Sequence, residues 1–275
     1  MIKIKKRMSS GYIKESFVDR SEIFKGTAQK SLLKKLKSHS GRDRLGHLSS
    51  RHSGSGAKKM YRVITSLDKV GARSGVIKSI EYDPYRSAYI ARVELEDKQT
   101  CYVLAQDKLK EGSKIKTVES EENLNTGDRT RLFNIPVGSQ ISDVELYPGN
   151  RARLVRSAGS SATLMAIEED YALVKLPSGE QRKIHKNCYA TIGQISNPEH
   201  SNIRYGKAGR KRLMGIRPTV RGKVMSPRAH PHGGGEGVNP IGLKYPKTPW
   251  GKHAMGKITR RNKKTNKFIV KKAKK

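Results

Sequence analysis

His230-Pro231-His232-Gly233-Gly234-Gly235-Glu236-Gly237 packs two imidazoles and a carboxylate among four glycines. An imidazole titrates near neutral pH, so His230 could act as a general base beside a reacting amine. Such a base needs a partner to fix its tautomer. Glu236 stands six residues on, across three glycines, which is a poor way to hold an angle. A phosphate cradle fails because no Gly-Lys-Ser/Thr closes the spacing. The oxyanion loop of some esterases also carries His-Gly-Gly-Gly, but it needs a Gly-x-Ser-x-Gly elbow, and this chain has none. A metal site from His230, His232 and Glu236 has no helix or strand to fix its geometry. Cys101 and Cys188 are the only cysteines, so His185 and Cys188 do not make a zinc set and no disulfide framework exists. Cys101 reads as a buried thiol, and the pair fits a reducing compartment. No enzyme, metal or cofactor is expected. The remaining readings of the glycine run are a flexible linker or a backbone pressed close to a partner, and the second is preferred.

The chain's 275 residues carry 58 Lys and Arg against 24 Asp and Glu, a formal charge of +34. That surplus calls for a polyanionic partner. Its distribution is uneven: residues 1–60 hold a net +12, 61–125 zero, 126–200 +1 and 201–275 +21. No apolar run approaches the length of a membrane span. The opening Met1 to Arg7 has no apolar stretch behind it, so a cleaved secretory signal is not expected.

The neutral middle carries short β-branched and aromatic stretches about every ten residues. One set comprises Tyr61 to Ile64, Gly75 to Ile80, Ala88 to Val93 and Thr100 to Leu104. A second runs through Ile141 to Leu146, Arg151 to Val155, Ala162 to Ile167, Tyr171 to Leu176 and Ala190 to Ile195. The polar patch Glu119 to Asp128 separates the sets as a linker. An all-β chain of two small tandem barrels is predicted, at 61–125 and 126–200, flanked by basic extensions 1–60 and 201–275. A short helix is expected around Leu32, Leu33 and Leu36. The tail has no apolar face and reads as disordered until it meets RNA.

Basic residues spaced among glycines and prolines can thread between phosphates. The candidates are Arg42, Arg44, Arg51, His52, Lys58 and Lys59 at the front. In the tail they are Lys207, Arg210, Arg212, Arg217, Arg221, Lys252 and Arg260, with His230, His232 and Gly233 to Gly235 laid against RNA. Trp250, the only tryptophan, either caps a barrel or stacks on a base. Lys271 to Lys275 read as a solvated charge run.

Eight motifs occur in one order: Glu81-Tyr82-Asp83-Pro84 with Arg86-Ser87-Ala88; Asn134 to Gly138; Arg156-Ser157-Ala158-Gly159; Leu176 to Glu180; Gly206 to Arg210; Arg217 to Gly222; His230 to Gly237; and Thr248 to Lys252. From about Ser21 onward the chain resembles the universal second protein family of the large ribosomal subunit, in its bacterial or organellar form. The resemblance implies an oligonucleotide-binding-type barrel, then an SH3-like barrel, with extended ends entering large-subunit rRNA. It adds Arg86 and Arg156 as RNA contacts. It also implies a primary rRNA binder near the subunit interface and the peptidyl transferase region, touching the small subunit and neighbouring ribosomal proteins. Such proteins support subunit joining, tRNA binding and peptide-bond formation; a direct catalytic role for the family is contested. Ser53, Ser55 and Ala57 stand where the family usually has Arg, Gly and His, which thins the expected contacts there. Ala229 replaces the usual Asp before His230. A bacterial cytoplasmic ribosome is the expected location, with a mitochondrial or plastid ribosome as the alternative. The rival function is a free-standing RNA chaperone or non-specific nucleic-acid binder.

Overall fold

The computed structural model describes residues 2–6, 15–119, 124–236, 238–256 and 258–273. Part of the opening stretch, residues 120–123 of the linker, Gly237 and Lys274–Lys275 lie outside the described residues. The chain divides into two compact units. The first comprises Met1–Lys37, Lys58–Ala208 and Asn266–Lys275; the second comprises Ser38–Ala57 and Gly209–Thr265. These units do not follow the four segments drawn from charge, because residues 38–57 of the front extension group with the tail.

Unit one is all-β, as predicted. Among the described residues the only α-helices are Leu67–Val70 and Ala208–Leu213. Eleven strands hydrogen-bond in the order Ile269–Lys271, Gln181–His185, Tyr171–Lys175, Ala162–Glu168, Gln140–Ser142, Tyr189–Ile192, Arg129–Arg131, Lys114–Val118, Ser74–Glu81, Ile90–Leu95, Thr100–Leu104. All these pairings are antiparallel except Lys114–Val118 with Arg129–Arg131, where Thr117 faces Arg129. That parallel pair joins the two predicted strand groups. Each group has its own core: Leu67, Ile77, Val93, Leu95 and Ile115 in the first, Leu132, Ile141, Val144, Leu164 and Val174 in the second. Alternation explains the placement, since successive side chains of a strand point to opposite faces. In Ser74–Glu81 the residues Gly75, Ile77, Ser79 and Glu81 are buried. Buried Glu81 accepts hydrogen bonds from the Tyr102 hydroxyl at 2.8 Å and from Ser79 Oγ at 3.1 Å. Burial pushes the Tyr102 phenol up to about 12.

Four details differ from the sequence reading. The stretch Ile141 to Leu146 splits into Gln140–Ser142 and Val144–Glu145. Asp143 between them has φ +47° and turns its carboxylate to Arg129 and Arg156. The segment around Leu32 forms a single 3₁₀ turn, Lys30–Leu32, and then the strand Leu33–Lys34 on Tyr61–Arg62. Asp128, at the end of the linker patch, is fully buried and caps the Lys116 and Asn125 amides, both at 2.9 Å. Finally, the segment just before the basic terminus is structured: Ile269–Lys271 adds to the sheet edge at Gln181–His185, with Phe268 6.1 Å from Tyr171, while Lys271 to Ala273 stay exposed.

A buried ionic network underlies the joint between the two strand groups. Arg129 is the centre, with its side chain only 4% exposed. Its Nε donates to Asp68 at 2.6 Å, Nη1 to the Asp143 carbonyl at 3.0 Å, and Nη2 lies 3.4 Å from Glu145. Lys69 approaches Asp68 at 3.6 Å and Glu145 at 3.5 Å. Three carboxylates and the cations Arg129, Lys69 and Arg156 thus share one site, in which Arg129 and the carboxylates are held away from water while Lys69 and Arg156 reach it.

Candidate nucleic-acid interface

Unit two contains 18 Lys and Arg side chains against two acids. Its frame is a backbone seam between residues 52–57 and 213–217. The Gly54 amide donates to the Gly215 carbonyl at 2.7 Å, Ala57 to Leu213 at 2.8 Å, and Arg217 to His52 at 3.0 Å. Ser53 bridges Ile216 in the same seam. At Gly56, with φ +67°, an added Cβ would stand 2.7 Å from the Leu213 carbonyl oxygen. Glycine is required there because two backbones meet, not because RNA approaches. The departures Ser53 and Ala57 fit the same explanation, since their backbones rather than their side chains carry the seam.

The seam leaves the arginines outward. Arg42, Arg44, Arg51, Arg212, Arg217 and Arg221 are exposed, as are His52, Lys252 and Arg260, and Arg210 is half-buried. Arg42, Arg212 and Arg217 line a groove of about 540 Å³ along the seam. Nη1 of Arg42 donates to the Gly46 carbonyl at 2.7 Å, which fixes its direction. Guanidinium forks fixed in this way suit phosphate oxygens.

Trp250 is 77% exposed, so it caps no barrel. A tight turn presents it: the Thr248 amide donates to the Lys252 carbonyl at 2.7 Å and the Gly251 amide to the Thr248 carbonyl at 2.9 Å. The Arg51 guanidinium lies 5.6 Å from its ring centroid. Nothing in the sequence signals the pairing of these two residues, almost two hundred positions apart.

The histidine–glycine run differs from its sequence reading. His230 is buried, at 7% exposure, and its Nδ1 accepts from the His232 amide at 3.0 Å. His232 Nε2 accepts from the Lys247 amide at 2.8 Å, and the two rings lie 4.6 Å apart. These ring nitrogens satisfy amides of their own loop, which would otherwise lack partners. One nitrogen of each ring is thus taken up within the chain, which leaves His230 Nε2 and His232 Nδ1 as the remaining donors. An added Cβ at Gly233 would stand 2.3 Å from the Ser226 carbonyl oxygen, and at Gly222 2.5 Å from the His230 ring. Gly234 and Gly235 turn at φ +93° and +73°. The run thus packs closely on its own chain. Burial, helped by the nearby His232 and Arg51 charges, lowers the His230 pKa below its usual 6.5.

In unit one, Lys58 and Lys207 are exposed and Lys59 is half-buried. Arg86 and Arg156, expected on RNA, are engaged internally. Arg86 pairs with fully buried Asp83 and donates to the Tyr61 hydroxyl at 3.0 Å. Nε of Arg156 lies 2.8 Å from Asp143. Buried Asp83 and Asp143 are thereby given cationic partners. Cys101 and Cys188 are buried thiols, pushed up by burial to about 11 and about 12. Among the described residues no group of three His, Cys, Asp or Glu is placed to hold a metal ion, and no helix is long and apolar enough to cross a membrane.

Comparison with known families gives two matches. Residues 29–117 match the model described as "Ribosomal Proteins L2, RNA binding N-terminal domain", and residues 125–251 match "Ribosomal Proteins L2, C-terminal domain". The boundary between the matches falls at the linker that separates the two strand groups.

Proposed function

The chain belongs to the ribosomal protein L2 family and is a structural, rRNA-binding protein of the large ribosomal subunit, and from that premise we propose how it is used. Unit two is the principal rRNA-gripping element, and its exposed arginines neutralise phosphates along an irregular RNA path. The observation that carries this is the seam: it unites two basic strips in one body and leaves their side chains outward. The position assigned is near the peptidyl transferase region and the subunit interface, with contacts to the small subunit and neighbouring proteins, in support of subunit association and tRNA binding. The location proposed is a bacterial cytoplasmic ribosome, with a mitochondrial or plastid ribosome as the alternative. The support is the motif series and the charge distribution.

The role is structural rather than catalytic. His230 is buried, neutral at pH 7 and hydrogen-bonded at Nδ1 by its own loop, so its proton sits on Nε2. That tautomer offers a reacting amine no free basic nitrogen. The testing experiment is competition binding of the full chain to large-subunit rRNA against small-subunit rRNA, tRNA and duplex DNA at about 150 mM salt. Large-subunit rRNA is expected to win by at least roughly a hundredfold. Equal binding to all four would overturn the assignment in favour of a non-specific binder.

A further inference from the structure

In unit one, Tyr82-Asp83-Pro84-Tyr85-Arg86 turns the chain between the strands Ser74–Glu81 and Ile90–Leu95. Asp83 is fully buried beneath it. Its carboxylate accepts from the Tyr85 amide at 2.8 Å and pairs with Arg86. Arg86 lies 5.0 Å from the Tyr61 ring centroid, and Tyr61 meets Tyr85 edge-on at 5.7 Å and 76°. Pro84 fixes one more dihedral. The turn is braced from below, yet Tyr82 and Tyr85 remain 39% and 41% exposed. Each ring has a cation over one face: Arg20 lies 3.8 Å from the Tyr82 centroid, and the Lys59 ammonium 5.8 Å from that of Tyr85. Glu81 and Asp83 are both buried, so the turn's solvent side shows rings and cations without an opposing carboxylate from the turn itself.

Two part-exposed aromatic rings on a braced turn, each with one face toward a cation, are the elements of a stacking platform for bases. We propose that this turn is a second RNA site, where unpaired nucleobases stack on Tyr85 and Tyr82 while Lys59 and Arg20 meet the flanking phosphates. A paired base has no free face to offer, so the ligand is a bulge, loop or single-stranded junction. The inference rests on the rRNA-binding assignment and adds to it the class of RNA element recognised.

The test uses the full chain with Tyr85→Ala, Tyr82→Ala and the matching Phe variants, binding an rRNA fragment with unpaired loops and a fully paired duplex of equal length. Each Ala variant is expected to lose roughly 5- to 150-fold in affinity for the looped fragment, the effect of one lost base–aromatic stack. The salt slope should not change, because no phosphate contact is removed. The Phe variants should bind as the parent does, and duplex binding should be unaffected. Unchanged affinity in both Ala variants, or an equal loss with Phe, would overturn the proposal. If an Ala variant melts early, replacing Tyr85 by p-benzoyl-phenylalanine gives an independent readout. Crosslinks to unpaired nucleotides support the site; crosslinks only to helical RNA refute it. A parent chain without preference for rRNA would instead sink the wider assignment, whereas normal parent binding with indifferent tyrosine variants sinks only this site.

Discussion

Neutralising Arg212, Arg217 and Arg221 together, each to Gln, should weaken RNA binding in a way that salt reveals. All three side chains are exposed, and the seam contact made by Arg217 uses its backbone amide, so the fold of unit two should survive. Eight of the expected phosphate contacts in unit two are exposed Arg or Lys side chains: Arg42, Arg44, Arg51, Arg212, Arg217, Arg221, Lys252 and Arg260. At about −0.7 per contact on single-stranded RNA, these eight supply a log–log salt slope of roughly −6. Removing three should make the slope shallower by about 2. Between about 50 and 200 mM salt the parent should then lose about twentyfold more affinity than the variant. Fluorescence anisotropy with a labelled large-subunit rRNA fragment, titrated over that range, measures both slopes. Parallel lines would refute the reasoning and place the phosphate grip on unit one. A shift caused by unfolding is separable, because a melting curve reports it directly.

The remaining predictions concern other parts of the molecule. Arg129→Met should cost about 3–5 kcal/mol, since it leaves Asp68, Asp143 and Glu145 buried with fewer partners; a loss under about 1 kcal/mol in urea unfolding of the free chain would show the network to be inert. Cys101 and Cys188 should ignore Ellman's reagent at about pH 8 in the native chain and both react once it is unfolded, because burial keeps almost all of each thiol protonated. Rapid native labelling would contradict their placement. Ribosomes with His230→Gln should assemble and form peptide bonds at near-normal rates, and roughly a hundredfold loss in the chemical step with intact assembly would restore the catalytic reading. The folded His230 loop binds a proton less well than the unfolded chain, so its stability is complete above about pH 6.5 and declines as pH falls toward the lowered pKa. Imidazole NMR titration follows this directly, and a folded-state pKa above 6.5 would be contrary.

The strand groups are legible because alternation and turn residues recur about every ten residues, and buried positions such as Ile77, Val93, Leu164 and Val174 fall on that alternation. The seam in unit two is not. Gly54, Gly56 and Gly215 announce a close approach, but sequence cannot say what approaches, and here it is the chain itself. The same ambiguity misdirects the reading of Gly233, whose neighbour is the Ser226 carbonyl. A motif alone points Arg86 and Arg156 at RNA, whereas buried Asp83 and Asp143 hold them. Arg129 escapes notice for the converse reason: its partners lie at positions 68, 143 and 145, and nothing local marks them as one cluster. Phe268, Ile269 and Val270 are the sole apolar signal within the basic terminus, and Ile269 and Val270 lie in the strand that returns to the sheet.

The most direct measurement is sucrose-gradient fractionation of cell extract at low and at moderate salt, with this chain quantified against large-subunit rRNA. One copy per large subunit, retained at moderate salt and absent from the top of the gradient, is the expected result. A broad distribution over free RNA and DNA, dispersed as salt rises, would contradict the central claim.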